Sequence, residues 1–152
     1  PDSDAELVLV GEGALRHKRA CRSVEDVVFT GQVVGDALSR LYASSDLFVF
    51  PSVTDTLGQV VMEAQASGVC CLVSDRGGPQ SIVTGGEKPG GLVVKGDDPE
   101  AWVDALEALL ENATLRHDFG NQGHENMCDF DIKDSFLYFV QTHRGILEIE
   151  PK

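Results

Sequence analysis

Short apolar runs alternate with segments of helical periodicity along this chain of 152 residues. The runs with the length of a strand lie at residues 7–10, 27–30, 46–50, 69–74 and 92–95. Their nearly continuous apolar character is typical of strands that are buried on both faces of a parallel sheet. Since short loops join these runs to the helical segments, the pattern predicts one α/β domain over residues 1–152, with helices on both faces of a parallel sheet.

Capping residues and apolar stripes predict where the helices lie. Asp98 followed by Pro99 is a strong start signal for a helix. Its inward stripe consists of Trp102, Leu106, Leu109 and Leu110. A helix over residues 57–67 has the stripe Leu57, Val60, Val61 and Ala64 and ends at Gly68. Further helices are predicted at residues 15–22, after a cap at Asp36, and at residues 80–84, 113–122 and 133–147.

The formal net charge of −13 limits what the chain can bind. A surface this acidic repels phosphate backbones, so we expect no nucleic-acid partner. A smaller anion would have to be held by backbone N–H groups and helix ends, or by cations from elsewhere.

The cysteines and histidines indicate a reduced protein without a metal site. Cys21, Cys70, Cys71 and Cys128 include no C-x-x-C pair, which predicts buried free thiols and a reducing, cytoplasmic compartment. The four histidines are scattered, so no metal is expected. The first residues lack a basic segment followed by an apolar run, so we expect neither a signal peptide nor a membrane span. From the abrupt start just before a strand, we expect a chain cut from a longer one.

Three predicted strands end in small residues at the edge where parallel sheets bind ligands. These strand ends are Gly11-Glu12-Gly13, residues 50–58 and residues 74–79. In the second of them, Asp55 precedes a helix that carries Glu63. The N–H groups of Leu57, Gly58 and Gln59 would then be free donors at the helix start, suited to a phosphate or a sugar hydroxyl.

Spacing alone leaves two interpretations of these carboxylates open. Asp55 could accept hydrogen bonds from sugar hydroxyls, and Glu63, which lies outside the apolar stripe, could accept both hydroxyls of a ribose. Alternatively, Asp55 is only a helix cap and Glu63 a solvated surface charge.

The stretch FVFPSVTDTLGQVVMEAQASG, residues 48–68, resembles the signature of the family 4 retaining glycosyltransferases. That family carries a Glu-x7-Glu motif between a strand ending in Pro-Ser and a helix ending in Ser-Gly. The similarity continues, in the same order as in the family, at residues 10–13, 28–31, 77–79, 91–94 and 97–99. The resemblance implies the C-terminal, donor-binding domain of a GT-B fold, with a Rossmann-like sheet.

The resemblance also implies a role for each matching residue. Asp55 stands where the family's first Glu contacts the donor sugar, which makes it the catalytic candidate, and Glu63 stands where the second Glu holds the ribose. The other donor-binding candidates are Thr56, Leu57 and Gly58 at the sugar and diphosphate, Gly11 and Gly13 at the phosphates, and Gly31 to Val33 at the base. The donor would be a UDP- or GDP-sugar, and no cofactor is implied.

Some features depart from the family's pattern. Asp55 is one methylene shorter than Glu, Leu57 replaces a common Phe, and Gln80 stands where an acidic residue is frequent. The family's domain normally begins with one more strand and helix, which bear an Arg and a Lys, and neither precedes Pro1. We therefore expect a central strand to be missing between residues 7–10 and 46–50, and the N-terminal acceptor domain to be missing as well.

The implied function is transfer of a hexose from a nucleotide-diphosphate sugar to a lipid or glycan acceptor with retention. The full-length enzyme would serve cell-envelope glycan or glycolipid synthesis, in the cytoplasm or peripherally at the inner face of the membrane. A membrane lipid would then reach it through the acceptor domain, and the isolated chain would be inactive. Two alternatives stay open: a GT-B-fold nucleotide-sugar epimerase, and a non-catalytic α/β module.

Overall fold

The elements of the fold follow one another as strand and helix along most of the chain. A computed structural model describes residues 5–12, 27–128, 130, 133, 136–137 and 140–142. The strands are β1 (Leu7–Val10), β2 (Val27–Gly31), β3 (Leu47–Phe50), β4 (Cys70–Ser74) and β5 (Gly91–Val94). The helices are α1 (Asp36–Ala43), α2 (Gln59–Ala66), α3 (Pro79–Thr84), α4 (Pro99–Glu111) and α5 (Ala113–Cys128).

Two of the predicted helices fall partly or wholly outside the described residues. The helix expected at residues 15–22 lies outside them. Of the helix expected at residues 133–147, the described residues 133, 136–137 and 140–142 are helical. The helix expected at residues 113–122 continues for six residues more, to Cys128.

The chain divides into two compact units, Pro1–Ser45 and Asp46–Lys152. In the first unit β1 pairs with β2 in parallel, and α1 follows with Tyr42 buried. In the second unit the strand order is β3-β4-β5, and both pairings are parallel. The predicted parallel α/β architecture is therefore confirmed. The hydrogen bonds form one sheet in each unit, and the expected additional strand between β1 and β3 stays a prediction.

Strand β4 is the centre of the second unit, and all five of its residues are buried. On one face Cys70 and Leu72 pack with Val94 and Leu109 in a cluster that half-buried side chains of α4 and α5 complete. On the other face the Cys71 thiol lies 4.0 Å from the carbonyl oxygen of Val61 in α2. Because helices cover both faces, the alternating side chains from Cys70 to Val73 are apolar on both faces, as the sequence predicts, and the buried Ser74 ends the strand.

The helix ends confirm some of the predicted caps and correct others. The Asp98 carboxylate accepts a hydrogen bond from the Ala101 N–H at 3.1 Å, so its predicted cap is confirmed. Asp36 is not a cap, because α1 has Gly35 at its N-cap and Asp36 is its first residue. The helix expected from residue 57 begins only at Gln59, because Gly58 has a left-handed backbone with φ of 80°.

Two leucines predicted to face the core are exposed instead. Leu57 precedes α2 and is 54% exposed, and Leu110 at the end of α4 is 41% exposed. The other members of the two stripes are buried or half-buried. An apolar stripe therefore predicts the buried face of a helix well in its middle and poorly beyond its ends.

The cysteines confirm part of what the sequence predicts. Cys70 and Cys71 are free and buried. Burial raises the pKa of the Cys70 thiol to about 12 and raises the pKa of Cys71 further, so both stay protonated at neutral pH. Cys128 is exposed at the end of α5, which contradicts the expected burial, and Cys21 lies outside the described residues.

Gln65 is a polar side chain in the apolar interior. It lies on α2 and is fully buried between Gly90 and Gly123, where a Cβ on Gly90 would lie 2.1 Å from its amide nitrogen. Neither its amide nitrogen nor its amide oxygen has a hydrogen-bond partner among the described residues. A buried amide without partners carries a desolvation cost of roughly 1–3 kcal/mol.

Replacing Gln65 by methionine should therefore stabilise the fold. Methionine has nearly the same shape and no amide, so Gln65→Met should raise the free energy of unfolding by about 1 kcal/mol, measured by urea unfolding with an unchanged slope. The matched control is Gln122→Met on α5, because the Gln122 amide donates to Asn126 at 3.1 Å. That change should not stabilise the protein. A loss of stability in Gln65→Met would show that the buried amide is satisfied.

Candidate functional site

Three loops follow the carboxyl ends of the adjacent parallel strands of the second unit. They are residues 51–58 after β3, 75–78 after β4 and 95–98 after β5. Parallel neighbours end at the same edge of a sheet, so these loops lie side by side there, where open α/β sheets bind ligands. The loops also touch, since a Cβ on Gly96 would lie 2.7 Å from side-chain atoms of both Val53 and Ser74. The third loop was not singled out from the sequence, although Gly96 marks it.

The loop of residues 55–58 packs directly on the turn of residues 77–79. The Gly78 N–H donates a hydrogen bond of 3.1 Å to the carbonyl oxygen of Asp55. A Cβ on Gly77 would lie 2.2 Å from that oxygen, and a Cβ on Gly78 would lie 2.2 Å from the carbonyl oxygen of Thr56. The two glycines therefore permit contact between two backbones. From the sequence, the small residues at this strand end were expected to make room for a ligand.

The carboxylate of Asp55 folds back onto its own loop. Its Oδ1 accepts hydrogen bonds from the N–H of Leu57 at 3.0 Å and from the N–H of Gly58. Its other oxygen, Oδ2, has no hydrogen-bond partner among the described residues. The expectation of three free N–H donors is thus wrong for Leu57 and Gly58, because an aspartate is short enough to reach donors two and three residues ahead. The N–H of Gln59, at the start of α2, has no acceptor within the helix.

Glu63 lies on the exposed side of α2, while Val61 and Ala64 are fully buried on the other side. Its predicted place outside the apolar stripe is confirmed. Glu63 follows Gln59 by four residues, so both side chains lie on the same helix face about one turn apart. A ligand that extends from the helix start along this face would therefore pass the Glu63 carboxylate.

Four of the predicted donor-binding residues belong to the first unit. The Gly11 N–H donates to the carbonyl oxygen of Gly31 at 2.8 Å, and both glycines have positive φ, 116° and 71°. Gly11 and Gly31 are therefore brought together, and Val33 follows as a half-buried residue. Gly13 lies outside the described residues.

Charged side chains at the sheet edge of the second unit include a pair that the sequence did not reveal. The Arg76 guanidinium lies 2.7 Å from Asp97 Oδ2, with the two side chains 53% and 70% exposed. A pair this exposed contributes little to stability. Arg76 directly precedes Gly77, and a basic residue beside the glycine turn is the one signal that could have indicated it. Among the described residues, no three His, Cys, Asp or Glu side chains gather as a metal site.

Comparison with known proteins identifies relatives of the chain. The family model described as "Glycosyl transferases group 1" matches residues 1–112. A D-inositol 3-phosphate glycosyltransferase of Paenarthrobacter aurescens is 34% identical over 151 residues, which are 95% of this chain and 36% of that protein. A GDP-mannose-dependent alpha-mannosyltransferase of Corynebacterium glutamicum is 36% identical over 126 residues, which are 83% of this chain and 28% of that protein.

A solved structure with the same fold is sucrose-phosphate synthase from Thermosynechococcus elongatus. It superposes with a TM-score of 0.82 at 25% identity, over 95% of this chain and 39% of that one. These comparisons confirm the resemblance drawn from residues 48–68 and the Rossmann-like half of a GT-B fold. The chain spans only 28% to 39% of the proteins that it matches here.

The contact between the loop and the glycine turn can be tested with Gly78→Ala. Gly78 has φ of −69°, which alanine tolerates, so the effect is steric alone. The added methyl should push residues 55–58 off the turn, lower the free energy of unfolding by about 2 kcal/mol, and speed hydrogen exchange at the Leu57 and Gly58 amides.

The matched control is Gly85→Ala, whose methyl would lie 2.5 Å from the Ser81 carbonyl oxygen at the other end of α3. It should destabilise the chain and leave exchange at Leu57 and Gly58 unchanged. Equal exchange rates at these amides in Gly78→Ala and the parent would contradict the packing described here.

Proposed function

Since the chain belongs to the glycosyl transferases group 1 family, we propose that it is the donor-binding domain of a retaining hexosyltransferase. The donor is a UDP- or GDP-sugar, and the acceptor is a lipid or a glycan. The observation that carries the proposal is the arrangement of two carboxylates after β3, with Asp55 at the loop and Glu63 one turn into α2. The dependence of a relative on GDP-mannose supports a nucleotide-sugar donor.

Each site residue then has a defined task. Oδ2 of Asp55 accepts a hydroxyl of the donor sugar and orients it, which makes Asp55 the catalytic residue of this domain. Glu63 accepts the two ribose hydroxyls. In the second unit, the backbone of Thr56, Leu57 and Gly58 borders the sugar and diphosphate. From the resemblance alone, Gly11, Gly13, Gly31 and Val33 of the first unit are assigned to the phosphates and the base.

The transfer itself depends on charge at the leaving group. The bond between the anomeric carbon and the diphosphate breaks, and the diphosphate leaves with the bonding electrons. The acceptor hydroxyl oxygen bonds to the anomeric carbon, and its proton passes to the leaving diphosphate. Cations stabilise the departing charge, and neither a metal ion nor a cofactor is required. In the full-length protein we assign part of this task, and the acceptor site, to the N-terminal domain, so the chain alone is inactive.

The same proposal gives the protein its place in the cell. The enzyme acts in cell-envelope glycan or glycolipid synthesis, in the cytoplasm, and a lipid acceptor brings it to the inner face of the membrane. In the described part of the chain, no helix is long and apolar enough to cross a bilayer. The proposal assigns contact with a membrane to the acceptor domain.

A thermal-shift panel of UDP-, GDP- and ADP-sugars on the full-length protein tests the proposed function. Binding to the folded state raises the midpoint of unfolding, so a UDP- or GDP-sugar should stabilise the protein. A sugar altered in the absence of any acceptor would identify an epimerase instead. If no nucleotide stabilises the protein, a non-catalytic module is the correct description.

Glu63→Gln should weaken donor binding and leave turnover nearly unchanged. A carboxylate that holds the ribose contributes equally to the ground state and the transition state, so KM for the donor should rise about tenfold at constant kcat. Steady-state kinetics of the full-length enzyme measure both constants. The matched control is Glu107→Gln, an exposed glutamate on α4. Equal KM values for Glu63→Gln and the parent would remove Glu63 from the site.

A further inference from the structure

Asp55 makes two kinds of contact that hold its loop in place. Its Oδ1 accepts the N–H groups of Leu57 and Gly58, and its carbonyl oxygen accepts the N–H of Gly78. The first contact closes the loop on itself, and the second ties the closed loop to the glycine turn. Gly58, which joins the loop to α2, has a left-handed backbone, and its N–H is one of the two that Oδ1 accepts.

The Oδ1 contact depends on side-chain length, and an uncharged oxygen at the same place can also accept these N–H groups. Aspartate and asparagine both carry an oxygen on Cγ, and both are strongly preferred where a side chain must accept a nearby backbone N–H. Glutamate keeps the charge but places its oxygens one methylene further out, where it is a poor local cap. This geometry gives a physical reason for the aspartate at a position where the family has glutamate.

We propose that Asp55 is also a positioning residue, whose Oδ1 holds residues 55–58 in the shape that receives the diphosphate of the donor. The inference rests on the proposed function and adds to it a task separate from contact with the sugar. Oδ2 remains for the sugar hydroxyl, while Oδ1 determines where the loop backbone and the first N–H groups of α2 lie. The two oxygens of one carboxylate thus serve two different parts of the donor.

A matched set of variants separates these two tasks in the full-length protein. Asp55→Asn keeps the length, Asp55→Glu keeps the charge, and Asp55→Ala keeps neither. The measured quantities are the Kd values for UDP and GDP by titration calorimetry, because these nucleotides lack the hexose that Oδ2 is proposed to contact. Hydrogen exchange at the Leu57 and Gly58 amides reports the loop directly.

We expect Asp55→Asn to bind the nucleotide within about twofold of the parent, and the Glu and Ala variants to bind it about tenfold more weakly. Exchange at Leu57 and Gly58 should stay slow in Asp55→Asn and become faster in the other two variants. The control is Asn112→Ala, which removes another local cap. There the Leu115 N–H donates to Asn112 Oδ1 at 3.0 Å, beyond the far end of the 13-residue α4. It should change neither measurement.

Two results would overturn the inference. If Asp55→Glu binds like the parent while Asp55→Asn does not, charge matters rather than length. If all three variants bind UDP or GDP like the parent, the Oδ1 contact has no part in binding. A parent protein that binds neither nucleotide nor any nucleotide-sugar would instead refute the proposed function, and the inference with it.

Discussion

The complete burial of β4 is the constraint on which the second unit depends. A central parallel strand needs a neighbour on each side and a covered face above and below, and β4 has all four. Burial of Cys71 and Leu72 brings β3 and β5 into register, with Phe50 opposite Val73 and Ser74 opposite Val94. The loops that follow the three strands therefore leave the sheet side by side. The proposed donor site is a consequence of how the core is built.

Backbone contact, more than side-chain contact, then shapes the loops. Gly77 and Gly78 lie so close to the carbonyl oxygens of residues 55 and 56 that a single methyl group would not fit. Backbone atoms have little freedom to move apart without breaking the Gly78 to Asp55 hydrogen bond. Asp55 is thus fixed from both sides, its carboxylate by its own loop and its carbonyl oxygen by the turn. Such rigidity suits a group that must orient a sugar to within a fraction of an ångström.

Local signals predicted the fold well, and contacts between distant residues limited the prediction of the site. The strands followed from apolar runs, and the cap at Asp98 followed from adjacent residues alone. The start of α2 did not, because it depends on the φ angle of Gly58 and on where the Asp55 carboxylate points. The hydrogen bond from Gly78 to Asp55 and the ion pair of Arg76 with Asp97 join residues about 20 positions apart. No local pattern encodes contacts at that separation. The resemblance identified Asp55, but it could not show which of its oxygens was already engaged.

The charge at this edge of the sheet determines how strongly the chain alone could bind a diphosphate. The loops of residues 51–58, 75–78 and 95–98 carry the carboxylates Asp55, Asp75, Asp97 and Asp98 against the cations Arg76 and Lys95. Two backbone donors that would suit a phosphate are already bound to Asp55. An acidic edge with few free donors binds a diphosphate weakly by itself, so a donor needs additional positive charge. The Arg76 guanidinium forms an exposed ion pair with Asp97, which costs little to break. Under the proposed function, we assign the remaining charge to the N-terminal domain of the full-length protein, and donor binding then couples the two domains.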